Sequence, residues 1–285
     1  MPRLIRFALP LIAALALPPP AAEASNVTWE RSFTVTGVPD LVIHTTDGSV
    51  HVATVEGNTV GVRVAAHGWR VGTGDIKVES SQQGDRIEVT ARMPVFTLSF
   101  GFSHGMDIEV TLPARANLEI ETSDGSVRLE PHTGTIRVRT HDGSIIADGL
   151  KGDLTLVSGD GSIEATGLDG KLNAHTSDGH MRVEGRFEAL EVSTDDGRIQ
   201  LDANPGSRLV DGWTIRTSDG GVDLHLPRDL KAHLDAHSGD GHITLDLPVE
   251  IEGQLSRSSV VGNLNGGGPL LKGRSGDGSI RIAAR

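Results

Sequence analysis

Apolar residues recur in pairs, two positions apart, on both sides of a repeated Asp-Gly dipeptide. The dipeptide begins at Asp47, Asp124, Asp142, Asp160, Asp178, Asp196, Asp219, Asp240 and Asp277. With each Asp as position zero, positions −6 and −4 hold pairs such as Leu118/Ile120, Ile136/Val138 and Leu154/Leu156. Positions +3 and +5 hold Val127/Leu129, Ile145/Ala147 and Ile163/Ala165, and the other copies fit the same template. Gly273, ahead of Asp277, is the one break in the apolar rule. Position −2 is always Thr or Ser: Thr45, Thr122, Thr140, Ser158, Thr176, Thr194, Thr217, Ser238 and Ser275.

Period-two alternation on each side of a Gly turn predicts two short strands per repeat. The step from −2 to +3 is odd, so the chain turns a corner at Asp-Gly. From Asp124 to Asp196 the spacing is 18 residues four times running, and the next gaps are 23, 21 and 37, the last close to two repeats. A second Gly in several copies (Gly134, Gly152, Gly170) marks the opposite corner. One such coil buries about four small aliphatic side chains, too few to offset the ordering of its own backbone. Coils must therefore stack and share a core.

The predicted fold is all-β: a single-stranded parallel β-solenoid of about 18 residues and two strands per coil, over residues 116–285. An antiparallel meander with Asp-Gly turns is the rival, but a meander does not require a constant period. Residues 25–115 are less regular, with alternation at Val60/Val62/Val64, Ile87/Val89 and Ile108/Val110. They read as an all-β N-terminal module covering one open end of the stack. The last strand, Ser279 to Ala283, has no evident cap, and residues 253–269 read as a degenerate coil over that end. An open solenoid edge invites another protein strand or a second copy of the chain.

Residues 1–24 read as an address. Arg3 and Arg6 precede an apolar run from Phe7 to Leu17, and Ala22-Glu23-Ala24 forms an A-x-A cleavage site. The apolar run is too short to span a bilayer, which needs about 20 residues. Export follows, to the periplasm or the exterior, with cleavage after Ala24.

Composition narrows the chemistry. With no cysteine there is no disulfide frame, thiol nucleophile or thiolate metal site. A net charge of −12 argues against nucleic acid as a partner. No G-x-S-x-G, P-loop or H-E-x-x-H motif is present, so no catalytic residue, cofactor or enzyme activity is predicted.

The stretch Met106–Leu129, MDIEVTLPARANLEIETSDGSVRL, resembles the core of a bacterial adhesin-like family of unassigned function. There a strand ending in Pro leads into repeated T-S-x-G-x-[IV] units. The resemblance extends over roughly Val35 to Ile282. It implies an exported, non-enzymatic scaffold or binding protein of the cell envelope, and supplies no catalytic residues. A β-helical polysaccharide lyase or hydrolase, and a calcium-stabilised surface repeat protein, are the alternatives.

Four groups of residues stand out. The nine Asp residues at the corners fit a structural part, each capping its own turn while the following Gly takes positive φ. Position +6 holds Glu130, Asp148, Glu184, Asp202 and Asp246. Stacked about 4.8 Å apart, these carboxylates would repel. They read either as a solvated acidic face or as a low-affinity calcium stripe. Finally Phe96, Leu98, Phe100 and Phe102 share one face of a strand, as core or as a binding lip. The pairs His175/His180 and His237/His242 straddle corners and read as surface repeats.

Overall fold

The computed structural model describes residues 28–67, 71, 76–93, 105–248, 250–251 and 256–285. The leader and the Phe96–Phe102 strand lie outside the described residues. Among the described residues every regular element is a strand. The N-terminal strands are β1 (Thr28–Thr34), β2 (Asp40–Thr45), β3 (Ser49–Val55), β4 (Thr59–His67), β5 (Lys77–Gln83), β6 (Arg86–Arg92) and β7 (Gly105–Pro113). The regular repeat supplies β8 (Asn117–Glu121), β9 (Val127–Leu129), β10 (Thr133–Arg139), β11 (Ile145–Asp148), β12 (Lys151–Val157), β13 (Ile163–Thr176), β14 (Met181–Thr194), β15 (Ile199–Ala203), β16 (Trp213–Thr217) and β17 (Val222–Leu226). The chain closes with β18 (Ala232–Ser238), β19 (Ile243–Asp246), β20 (Glu250–Ile251), β21 (Ser259–Leu264), β22 (Leu270–Ser275) and β23 (Ile280–Ala284).

Two parallel ladders organise the molecule. On the pre-corner face the spatial order is β6, β2, β8, β10, β12, β13, β14, β16, β22, β18. On the post-corner face it is β7, β3, β9, β11, β13, β14, β15, β17, β23, β19. Strands β13 and β14 run on from one face to the other. Ile136 pairs with Leu118 on one side and Leu154 on the other, one repeat away in each direction. The result is a β-solenoid-like stack.

The sheet is mixed, which corrects the expectation of parallel pairing throughout. At one end β4 pairs antiparallel with β7 and β1, and β5 with β6. At the other, β21 runs antiparallel to β18 and β20. A stack of parallel coils ends in unpaired backbone donors and acceptors, and an antiparallel return strand satisfies them.

Neither end is stacked in chain order. The coil β2–β3 lies between β6–β7 and β8–β9. The last coil, β22–β23, lies between β16–β17 and β18–β19. Ser279–Ala283 is thus no open end, since β23 pairs on both sides. The outermost post-corner strand is β19, whose Ile243 and Leu245 are only half-buried. The long gap before Asp277 is not a doubled repeat. It holds β21, which turns the chain back so that its final residues enter a slot left between two earlier coils.

The core holds the predicted inward pairs, from Leu41/Ile43 and Val50/Val52 to Ile280/Ile282, except the half-buried Ile243/Leu245 of β19. Trp213 takes a position held elsewhere by Leu or Ile, and Phe187 meets its ring edge-on at 6.2 Å. The exceptional Gly273 has room for a methyl group, with neighbours 3.7–3.9 Å from where a Cβ would lie.

Candidate binding groove

The corners are held together by backbone and hydroxyls. Thr140 Oγ1 accepts the Gly143 N–H (3.1 Å) and lies 3.2 Å from the Gly125 carbonyl one coil away, to which it can donate. Ser158 repeats this between Gly161 N–H (3.0 Å) and Gly143 O (2.9 Å), and Thr176 between Gly179 N–H (3.3 Å) and Gly161 O (2.9 Å). All nine position −2 residues are buried, so each hydroxyl needs these partners.

The corner glycines are required for a reason other than the predicted one. Of the nine, only Gly48 has positive φ. At Gly125, Gly143, Gly161, Gly179, Gly197 and Gly220 a Cβ would collide with the carbonyl of the corner glycine beside it. Close stacking, not left-handed backbone, excludes a side chain. The corner carboxylates are less engaged than expected: Asp47 accepts the Gly48 N–H (2.6 Å), while Asp124, Asp160, Asp178, Asp196, Asp219, Asp240 and Asp277 are exposed with no side-chain bond onto the corner. Asp142 has His141 Nε2 at 3.7 Å.

The position +6 carboxylates each meet a partner of their own. Glu130 pairs with His51 (3.1 Å), Asp246 with Arg281 (2.9 Å) and Glu184 with Arg285 (2.7 Å). Asp148 accepts the Thr166 hydroxyl (3.1 Å). Asp202 Oδ2 accepts the Gln200 amide N–H (3.1 Å), and its Oδ1 lies 2.8 Å from His225 Nδ1. Among the described residues no three His, Asp or Glu side chains gather as a metal-binding group. His175 and His242 bond instead to Ser193 and Ser279 hydroxyls, both at 2.9 Å. On the opposite corner His132 is buried. Its Nδ1–H donates to Glu130 O (2.9 Å), its Nε2 has no partner, and burial holds the imidazole below its ordinary value.

The longest run of adjoining depressions among the described residues lies on the pre-corner face. Two adjoining depressions, of about 470 and 620 Å³, share Glu191 and Thr214. Their outward row is set by register: Arg137, Thr155, Asn173, Glu191, Thr214 and Lys272 lie side by side on six neighbouring strands. Five strand spacings make that row about 24 Å long. Short side chains in the middle, such as Thr155, Asn173 and Thr214, leave the trough. One wall comes from the insertion that widens the gap between Asp196 and Asp219. There Val210 is 59% exposed and Asp211 approaches Lys171 at 3.9 Å. Leu270, 44% exposed, stands at the start of β22 on the same rim.

Sequence reasoning did not find this groove. Its outward positions obey no periodic rule, and Lys272 and Arg274 reach it only because β22 inserts beside β16. The departures from 18-residue spacing were the available signal.

The family model Toastrack DUF4097 matches residues 40–281. A solved structure from Bacteroides fragilis, described as a proposed adhesin, is 12% identical, covers 93% of this chain and 99% of its own, and has a TM-score of 0.50. A proposed lipid-binding protein from Parabacteroides distasonis is 14% identical over 90% of this chain and 97% of its own, with a TM-score of 0.48. At 12% identity the Bacteroides fragilis likeness is one of fold. No curated protein matches the chain.

Proposed function

Because the chain belongs to the Toastrack DUF4097 family, we propose that it is an exported, non-enzymatic, adhesin-like binding protein of the cell envelope. The groove on the pre-corner face is the observation that carries this reading. A trough about 24 Å long, floored by backbone and short polar side chains, fits an extended ligand rather than a compact one. Residues 1–24 act as the export signal, with Ser25 the first mature residue. Among the described residues no helix is long and apolar enough to cross a membrane.

Within this reading the parallel ladders form one solenoid of two-strand coils that takes in β2–β3 and β6–β7 as well as residues 116–285, and β1, β4 and β5 close its first end. Such a stack offers a rigid platform whose outward side chains vary while its inward ones repeat. Binding sites on strands are held more firmly than sites on loops.

Co-sedimentation of purified residues 25–285 with fractionated cell envelope tests the proposal. Retention in one fraction is expected, with no change on adding a chelator, because the position +6 carboxylates are already partnered. Absence from every fraction, with and without calcium, would overturn it.

A further inference from the structure

Within the groove just assigned, the sheet brings three cations together. Arg216 on β16 lies directly opposite Arg274 on β22, and Lys272 is two residues before Arg274 on the same strand face. Like charges directly opposite one another destabilise a sheet unless something relieves them. Arg274 is relieved: its guanidinium bonds the Asp235 carboxylate (2.5 Å) and the Asp235 carbonyl (2.7 Å). Arg216 and Lys272 have no carboxylate partner among the described residues. All three line the 620 Å³ depression, with Ser193, Ser218 and the backbone of Gly276 around them. Glu191 and Asp219 are its acidic limits, and Glu191 is turned toward the Asn173 amide (3.4 Å).

We infer that Arg216, Lys272 and Arg274 form an anion-binding subsite for a carboxylate or phosphate group carried on a linear acidic polysaccharide. The inference rests on the groove being the ligand surface. Two unpaired cations beside a third, fixed one form a pocket of positive charge in a chain of net charge −12. An anionic group there gains charge-assisted hydrogen bonds and supplies Arg216 and Lys272 with the counter-charge that Arg274 already has from Asp235. The remainder of the trough supplies hydroxyl and amide partners from Thr135, Thr155, Asn173 and Thr214. Those groups suit sugar hydroxyls along a chain, and the exposed Leu270 at the rim can lie against the apolar face of a sugar ring. The subsite exists only because the last coil is inserted next to β16, since β18 would otherwise place Asp235 and His237 opposite Thr214 and Arg216.

The test is titration of the isotope-labelled protein with oligogalacturonate, inorganic polyphosphate and neutral dextran, read on backbone amides. The expected result is that oligogalacturonate shifts Ser193, Arg216, Lys272 and Arg274, and that dextran does not. The double variant Arg216→Gln, Lys272→Gln should bind at least about tenfold more weakly, as loss of charged hydrogen bonds implies, with an unchanged melting temperature. Shifts at the same amides with polyphosphate alone uphold the subsite and assign phosphate as the recognised group. Equal binding of dextran and oligogalacturonate, or undiminished binding by the double variant, overturns the subsite while leaving the groove as the ligand surface. Loss of envelope co-sedimentation is what overturns the groove reading itself.

Discussion

A chain ending at Pro269 will lose the whole end of the stack beyond β17, not one coil. Leu271, Ile280 and Ile282 are fully buried, and each stands in register between two other coils. Removing them exposes β16 and β17 on one side and leaves β18 and β19 without their parallel neighbours. Truncating a buried Leu or Ile costs about 2–5 kcal/mol. Three such losses together rival the whole net stability of an ordinary domain, roughly 5–15 kcal/mol. Amide exchange reads the result. Protection at Asp235 and His237 on β18, whose amides face β22, should disappear along with the deleted coil. In a stack built in chain order, the same deletion would remove only the final coil and leave the protection of β18 intact.

Replacing Gly161 with Ala will destabilise the protein by about 3 kcal/mol, because the added methyl overpacks a rigid contact. The obstacle is the Gly143 carbonyl and the Ser144 nitrogen, both backbone, so no side chain can swing aside. The corner would have to separate from its neighbour, which also breaks the Ser158 hydroxyl bridge to Gly143 O. For a chain of this size the expected fall in melting temperature is roughly 6–12 °C. Gly105→Ala is the control: nothing lies within 4 Å of its added carbon, and its change should stay within about 0.5 kcal/mol. Equal melting temperatures for the two variants would contradict the close-stacking explanation of the corner glycines.

The inward doublets are legible in the sequence because a one-residue slip would turn every apolar side chain to solvent. The hydroxyl at position −2 is legible because a corner that repeats must satisfy the same backbone groups each time. Order at the ends is not legible, and the reason is the repeat itself. The copy around Asp219 presents the same inward pattern to the copy around Asp240 as to the one around Asp277. Nothing local says which becomes its neighbour. The decision rests with the segment between them, where β21 pairs antiparallel with β18 and returns the chain. The same ambiguity hides the partners of the position +6 carboxylates. Glu130 meets His51 and Glu184 meets Arg285, residues far away in the chain. The cations of the groove are hidden for that reason too, since Arg216 and Arg274 become neighbours only through the reordered stack.

The basic subsite and the stability of the C-terminal end both depend on where the last coil sits. Because the chain has no cysteine, paired substitutions can report that position without interference. Asp223, Arg281 and Thr244 occupy equivalent outward positions on β17, β23 and β19. Adjacent strands place such residues about 4.8 Å apart, within disulfide reach, and strands two apart place them about 9.6 Å apart, beyond it. Oxidation of the intact protein should therefore close a disulfide in Asp223→Cys/Arg281→Cys and in Thr244→Cys/Arg281→Cys, and none in Asp223→Cys/Thr244→Cys. Rapid closure of the Asp223→Cys/Thr244→Cys pair, with none in Asp223→Cys/Arg281→Cys, would show coils stacked in chain order and would contradict the inserted coil.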